Sequence, residues 1–128
     1  MTSVPDPSRL LPIDVRRAVL SVLFRAAGGP LSITEIVNRT RLQAGLDLAG
    51  LAGVGPRQRV SDILRHQVRR GRAEAVGRGR YLLFVAEFSE SSRWRCLHWQ
   101  QAAARRSQYP TRDALGRTRM LGPPVPVP

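Results

Sequence analysis

The sequence predicts a mainly α-helical fold with a small β-hairpin. Three segments carry apolar residues at helical spacing, over residues 12–27, 31–41 and 56–70. They are followed by two short apolar runs around Gly77-Arg78-Gly79, the signature of a tight hairpin. A serine-rich break then precedes a segment containing Trp94 and Trp99 that reads as one more helix.

Residues 13–27 give the clearest helix. Val15, Ala18, Val19, Val22, Leu23 and Ala26 share one face of a 3.6-residue period, and Arg16, Arg17 and Arg25 stay off it. Pro12 suits the first turn, where its missing N–H costs nothing. Gly28-Gly29-Pro30 ends the helix, with glycine expected in the left-handed cap. Ser32-Ile33-Thr34-Glu35 fits a capping box for the second helix, and Leu31 is placed for one short strand pairing before it. Residues 42–55 are glycine-rich with spaced leucines, a loop that lies on the core with room for one helical turn. In the third helix Val60, Ile63, Leu64 and Val68 form the expected buried stripe. The opposite face holds Gln58, Asp62, Arg65 and Arg69, flanked by Arg59 and His66. Strands are expected over residues 72–76 and 80–85, with Arg78 at the tip. Ser91 or Ser92 is expected to cap a fourth helix running to Arg106.

The 128 residues suit one domain and contain twenty-one basic residues against nine acidic, a net charge of +12. Every basic residue is Arg. Such a surface favours a polyanion, nucleic acid first. No stretch reaches the roughly 20 apolar residues of a membrane helix. The N-terminal residues lack the layout of a secretion signal. With Cys96 the only cysteine, no disulfide framework or CxxC zinc site exists, which fits a cytoplasmic, nucleoid-associated protein. The expected organisation is a flexible lead at 1–11, a compact unit at 12–88, a C-terminal helix at 89–106 and a disordered Pro/Arg-rich tail at 107–128.

Three helices followed by a hairpin is the order of a winged helix-turn-helix, here with a C-terminal helix appended. The segments VRRAVLSVLFRAAGGPLSITEIVNRT, AGL at 44–46, GPRQRVSDILRHQVRRG and AEAVGRGRYLL resemble the winged-helix family. Within it they are most similar to the HARE-type winged helix, in the opening GGPLSITEIV, the closing VGRGRYLL and the long spacer between second and third helices. The resemblance covers about residues 15–83, over half the chain. It implies a nucleic-acid or transcription-machinery role, as in restriction enzymes, chromatin proteins and a bacterial RNA polymerase subunit. It brings no catalytic residue. That polymerase subunit has an acidic tail, whereas the tail here is basic and rich in proline.

Between Arg57 and Arg80 eight arginines face two acids, a net +6 in 24 residues. The expected DNA-binding set is Arg57, Gln58, Arg59, Ser61, Asp62, Arg65, His66, Arg69, Arg72, Arg78 and Arg80. Gln58 and Arg59 are the expected base readers, since Arg grips guanine and Gln adenine through two bonds. Arg57, Arg69, Arg78 and Arg80 are expected on phosphates. Asp62 orients an arginine or accepts from cytosine, against the plainer expectation that it pairs with Arg65 or His66. Trp94 and Trp99 stand as a possible partner surface or homodimer seam, against plain core packing.

No catalytic chemistry, metal or cofactor is expected. Gly77-Arg78-Gly79 is too short for a phosphate loop, and a chain without lysine has no GxxxxGK[ST]. Cys96, His98 and His66 do not make a metal set. No nucleophile has an orienting partner, and the acids are scattered. The leading expectation is therefore a non-enzymatic double-stranded DNA-binding regulator or nucleoid factor. The alternative is a module docking on an acidic partner of the transcription machinery. RNA binding ranks below these, and attachment to a membrane surface is lowest because the basic residues face no free apolar stripe.

Overall fold

The computed structural model describes residues 10–108. The expected tail beyond residue 108, and residues 1–9 of the expected lead, lie outside them. Helix α1 spans Pro12–Arg25, α2 Ile33–Gln43, α3 Pro56–Arg69, α4 Glu90–Leu97 and α5 Trp99–Gln108. Strands β1 (Leu31–Ser32), β2 (Ala73–Ala75) and β3 (Arg80–Leu83) form an antiparallel sheet in the order β1–β3–β2. The fold is thus mainly helical with a small three-stranded sheet. Among the described residues no helix is long and apolar enough to cross a membrane.

Helix α1 is the central element. Asp14, fully buried, takes the Leu11 N–H on its Oδ2 at 2.8 Å and so satisfies one of the donors left over at the helix start. The predicted face of Val15, Ala18, Val19, Val22 and Leu23 is buried, but so are Leu20 and Ser21. The burial is wider than one stripe because α2 packs on one side of α1 while α4 and α5 pack on another. At the C-terminus Gly28 N–H reaches Leu23 O at 2.7 Å and Ala27 N–H reaches Phe24 O at 3.1 Å, a Schellman motif. Its left-handed residue is Ala27, with φ 55°, and not the expected glycine. Gly28 and Gly29 follow with φ 97° and 96°, pressed against the β3 backbone.

The capping box of α2 forms as read from its sequence. Glu35 N–H donates to Ser32 Oγ at 3.1 Å, and Ser32 N–H donates to Glu35 Oε1 at 2.9 Å. In the following loop Leu46 and Leu48 are buried, and Asp47 caps a single turn at Leu48–Gly50. The expectation of a core-lying loop with one helical turn is met.

Helix α3 is rotated from its expected seating. Val60, Ser61, Leu64 and Gln67 are buried, while Val68 is 38% exposed and Ile63 only half-buried. The chain returns into β2 directly after Gly71, with Arg72 N–H on Gln67 O at 2.9 Å, and this covers Gln67 at the expense of Val68.

The hairpin turns at Gly77 and Gly79, both at positive φ. Tyr81 pairs with Ala75 on one side and Leu31 on the other, so β3 is the central strand. Its Tyr81 and Leu83 face the core.

The C-terminal segment departs most from expectation. Ser89 caps α4, accepting from Ser92 N–H at 3.1 Å, and the expected single helix breaks at His98. Cys96 and Trp99 enter the same core as α1 and the sheet, so residues 89–106 are part of one packed body. Ser107 and Gln108, expected in the tail, belong to α5.

Candidate nucleic-acid interface

The outer face of α3 is as predicted. Gln58, Asp62, Arg65 and Arg69 are all exposed, on a stripe opposite buried Val60, Leu64 and Gln67. Eleven residues separate Gln58 from Arg69, so the stripe is about 16 Å long at 1.5 Å per residue. Gln58 Nε2 donates to Asp62 Oδ1 at 2.7 Å, so the carboxylate in the stripe orients an amide and not an arginine. His66 is half-buried on the flank.

The first turn of α3 adjoins two other elements. The Arg57 guanidinium donates to the Thr34 hydroxyl in the first turn of α2. One residue earlier, Ile33 N–H donates to Gly79 O at the hairpin, at 2.9 Å. Arg80 pairs with Ser32 across β1 and β3. The Ser32 hydrogen bonds, backbone first, together with the charges of Arg39 and Arg80, hold the exposed Glu35 carboxyl below its ordinary range. Arg57, Arg80 and the glycine-flanked, exposed Arg78 thus lie around one junction of α2, α3 and the hairpin.

Four predicted residues are engaged elsewhere. Arg59 folds back on the 44–55 loop, its Nη2 donating to Ala52 O at 2.7 Å and Val54 O at 3.4 Å, with Nε buried and unpartnered. In this structure it clamps that loop. Ser61 is 9% exposed and belongs to the packed face of α3. The Arg72 guanidinium lies over the Phe88 ring at 5.0 Å, turned to the far side of α3. Trp99 is 2% exposed, and its Nε1 donates to Ala44 O at 2.9 Å, so it is a core residue and not a partner surface. Trp94 does remain at the surface, stacked on the His98 ring at 4.6 Å with the Arg105 guanidinium 5.3 Å from its own ring.

Sequence reasoning missed a second basic region, formed by Arg16 and Arg17 of α1, Arg70, Arg72 and Arg95 of α4. These come from segments up to 79 residues apart, so no local period joins them. Cys96 lies beside them, and burial pushes its thiol up to about 11 despite the nearby Arg17, Arg16 and Arg95 charges. Among the described residues no group of three His, Cys, Asp or Glu side chains could hold a metal ion. Comparison of the chain with known protein families, characterised proteins and solved structures finds no match.

Proposed function

We propose that the protein is a non-enzymatic double-stranded DNA-binding factor of winged-helix type. Helix α3 lies in the major groove and the Arg78 hairpin touches the backbone alongside. The connectivity helix–strand–helix–helix–strand–strand, with strand order β1–β3–β2, supports the winged-helix assignment. The observation that carries the DNA reading is the exposed stripe of Gln58, Asp62, Arg65 and Arg69, with basic Arg57, Arg78 and Arg80 at one end. A helix about 10–12 Å across fits a groove about 12 Å wide. Arg65, Arg69, Arg78 and Arg80 take phosphates and set position, while Gln58, released from Asp62, supplies the base reading. A cytoplasmic, nucleoid-associated role in regulating transcription follows from this reading.

The test is duplex binding by fluorescence anisotropy across a range of salt concentrations. Replacing Arg65 and Arg69 together by Glu lowers the magnitude of the log K against log salt slope by about 2, at roughly 0.9 per phosphate no longer neutralised. Unchanged affinity and slope in the folded variant reject the reading.

Exposed Trp94 with its His98 and Arg105 neighbours favours one second reading, docking on an acidic protein through α4 and α5. Under that reading wild type shows no salt-dependent duplex affinity, and Trp94→Ala abolishes binding of an acidic peptide. Homodimerisation through the same face is read by sedimentation.

A further inference from the structure

Five arginines outside the α3 stripe line one cleft of about 150 Å³. They are Arg16, Arg17, Arg70, Arg72 and Arg95, and among the described residues no carboxylate lines the cleft with them. The Cys96 thiol at its wall stays neutral, being pushed up to about 11 by burial, and supplies no counter-charge. Burial lowers the pKa of Arg17; Arg95 and Arg16 add to that, while Cys96 and the buried Asp14 carboxylate oppose it. Like charges gathered around a concavity repel one another and attract a compact anion.

Gln67 adds an independent sign. It lines the same cleft, is 2% exposed, and its Oε1 has no hydrogen-bond partner. Buried amides are almost always satisfied, so an unpaired, covered acceptor beside five guanidinium groups points to a ligand donor that a turn of the amide would meet. The volume is below the roughly 300–1,000 Å³ of pockets for drug-sized ligands. The Phe88 ring at the wall is already covered by Arg72 at 5.0 Å and by the edge of Phe24 at 5.0 Å, so no aromatic face is open to a base.

We propose that this cleft binds a phosphate group, as free orthophosphate or as the phosphate of a small ligand. The planar guanidinium forks match its oxygens in pairs. Orthophosphate in its dianionic form keeps one P–O–H near neutral pH, which donates to Gln67 Oε1 once the amide turns toward the cleft; the dianion of an ester phosphate has none and is held by the guanidinium groups alone. Gln67 stands opposite the Gln58–Arg69 stripe on the helical wheel of α3, so the site is separate from the proposed duplex surface.

The experiment uses the ¹⁵N-labelled full chain at near-neutral pH and physiological salt, titrated with orthophosphate and, separately, with sulfate, which has no O–H. Expected are saturable shifts of the Gln67 side-chain amide with orthophosphate, and binding several-fold weaker for sulfate. Replacing exposed Arg70 and Arg95 by Gln weakens orthophosphate at least tenfold and leaves duplex affinity within about threefold, since removing even one arginine–phosphate pair from a duplex complex has a larger effect. Shifts that never saturate, or that fall equally on Arg65 and Arg69, overturn the proposal as a diffuse ion atmosphere. Equal binding of sulfate overturns the role of Gln67. A fall in duplex affinity in the Arg70 and Arg95 variant as large as in the Arg65 and Arg69 variant assigns the cleft to the duplex surface and overturns it as a separate site. If wild type binds no duplex at all, the Gln67 shifts and their disappearance in the variant still decide the cleft.

For a single phosphate-bearing metabolite, the arm that distinguishes it from orthophosphate is a sugar phosphate: tighter binding than orthophosphate shows that the cleft reads more than the phosphate, and equal binding shows that orthophosphate is the whole ligand.

Discussion

Replacing Trp99 by Phe tests whether the C-terminal helices belong to the core. The indole is 2% exposed, and its Nε1 donates to Ala44 O at 2.9 Å, tying α5 to the end of α2 across 55 residues. Phenylalanine keeps an aromatic ring but removes the donor. The missing bond costs about 1 kcal/mol, moderated because Gln100 Nε2 reaches the same carbonyl at 3.4 Å. The smaller ring leaves a void of roughly 40 Å³, costing about 1 kcal/mol at ~24 cal/mol per Å³. The total is about 2 kcal/mol, which for a body of this size lowers Tm by roughly 8–16 °C. Urea denaturation gives the same number as a shift in midpoint at constant m-value. Trp94→Phe is the control; that ring is at the surface, and its replacement changes stability by less than about 0.5 kcal/mol. A Trp99→Phe change below about 0.5 kcal/mol refutes the packing of α5 on the loop after α2.

Other substitutions test the local backbone and the buried thiol. Ala27→Gly relieves a non-glycine residue at φ 55°; about 1–2 kcal/mol of left-handed strain, less the entropy glycine adds to the unfolded chain, nets a stabilisation of about 0.5–1 kcal/mol in thermal melts. Gly28→Ala does the reverse. Its Cβ would stand 2.6 Å from Leu83 O at φ 97°, so unfolding free energy falls by more than about 2 kcal/mol. Cys96 is raised from 9.0 to about 11 in the fold, so its contribution to stability is complete below pH 9 and is lost as pH rises through about 11. Melting temperatures of wild type therefore fall more steeply over that window than those of Cys96→Ala, and parallel curves would refute the shift.

Features within one turn or one helix were legible in the sequence. The α1 face, the Ser32–Glu35 box, the glycine-framed hairpin and the exposed stripe of α3 each depend on spacing of at most eleven residues. Their physics is periodicity, capping and backbone freedom, and it needs no partner. Where reading failed, a distant element intervened. Val68 matches the apolar period better than Gln67, yet the return of the chain into β2 covers Gln67. Arg59 has the position of a base reader, but in this structure its guanidinium is on the carbonyls of Ala52 and Val54, a loop contact that no local spacing announces. Arg72 continues the run of basic residues, but Phe88 draws it to the far side.

By itself the sequence determined the helix–hairpin order, the excess of positive charge and the polar outer face of α3, because these are properties of composition and short-range period. Only the tertiary structure decided that Trp99 is core, that the last helix breaks at His98, and that five arginines from three stretches of chain converge around Gln67. Such convergence depends on how α1, α3, the hairpin and α4 pack together, and packing is a balance of burial and hydrogen bonding among residues that have no fixed spacing along the chain.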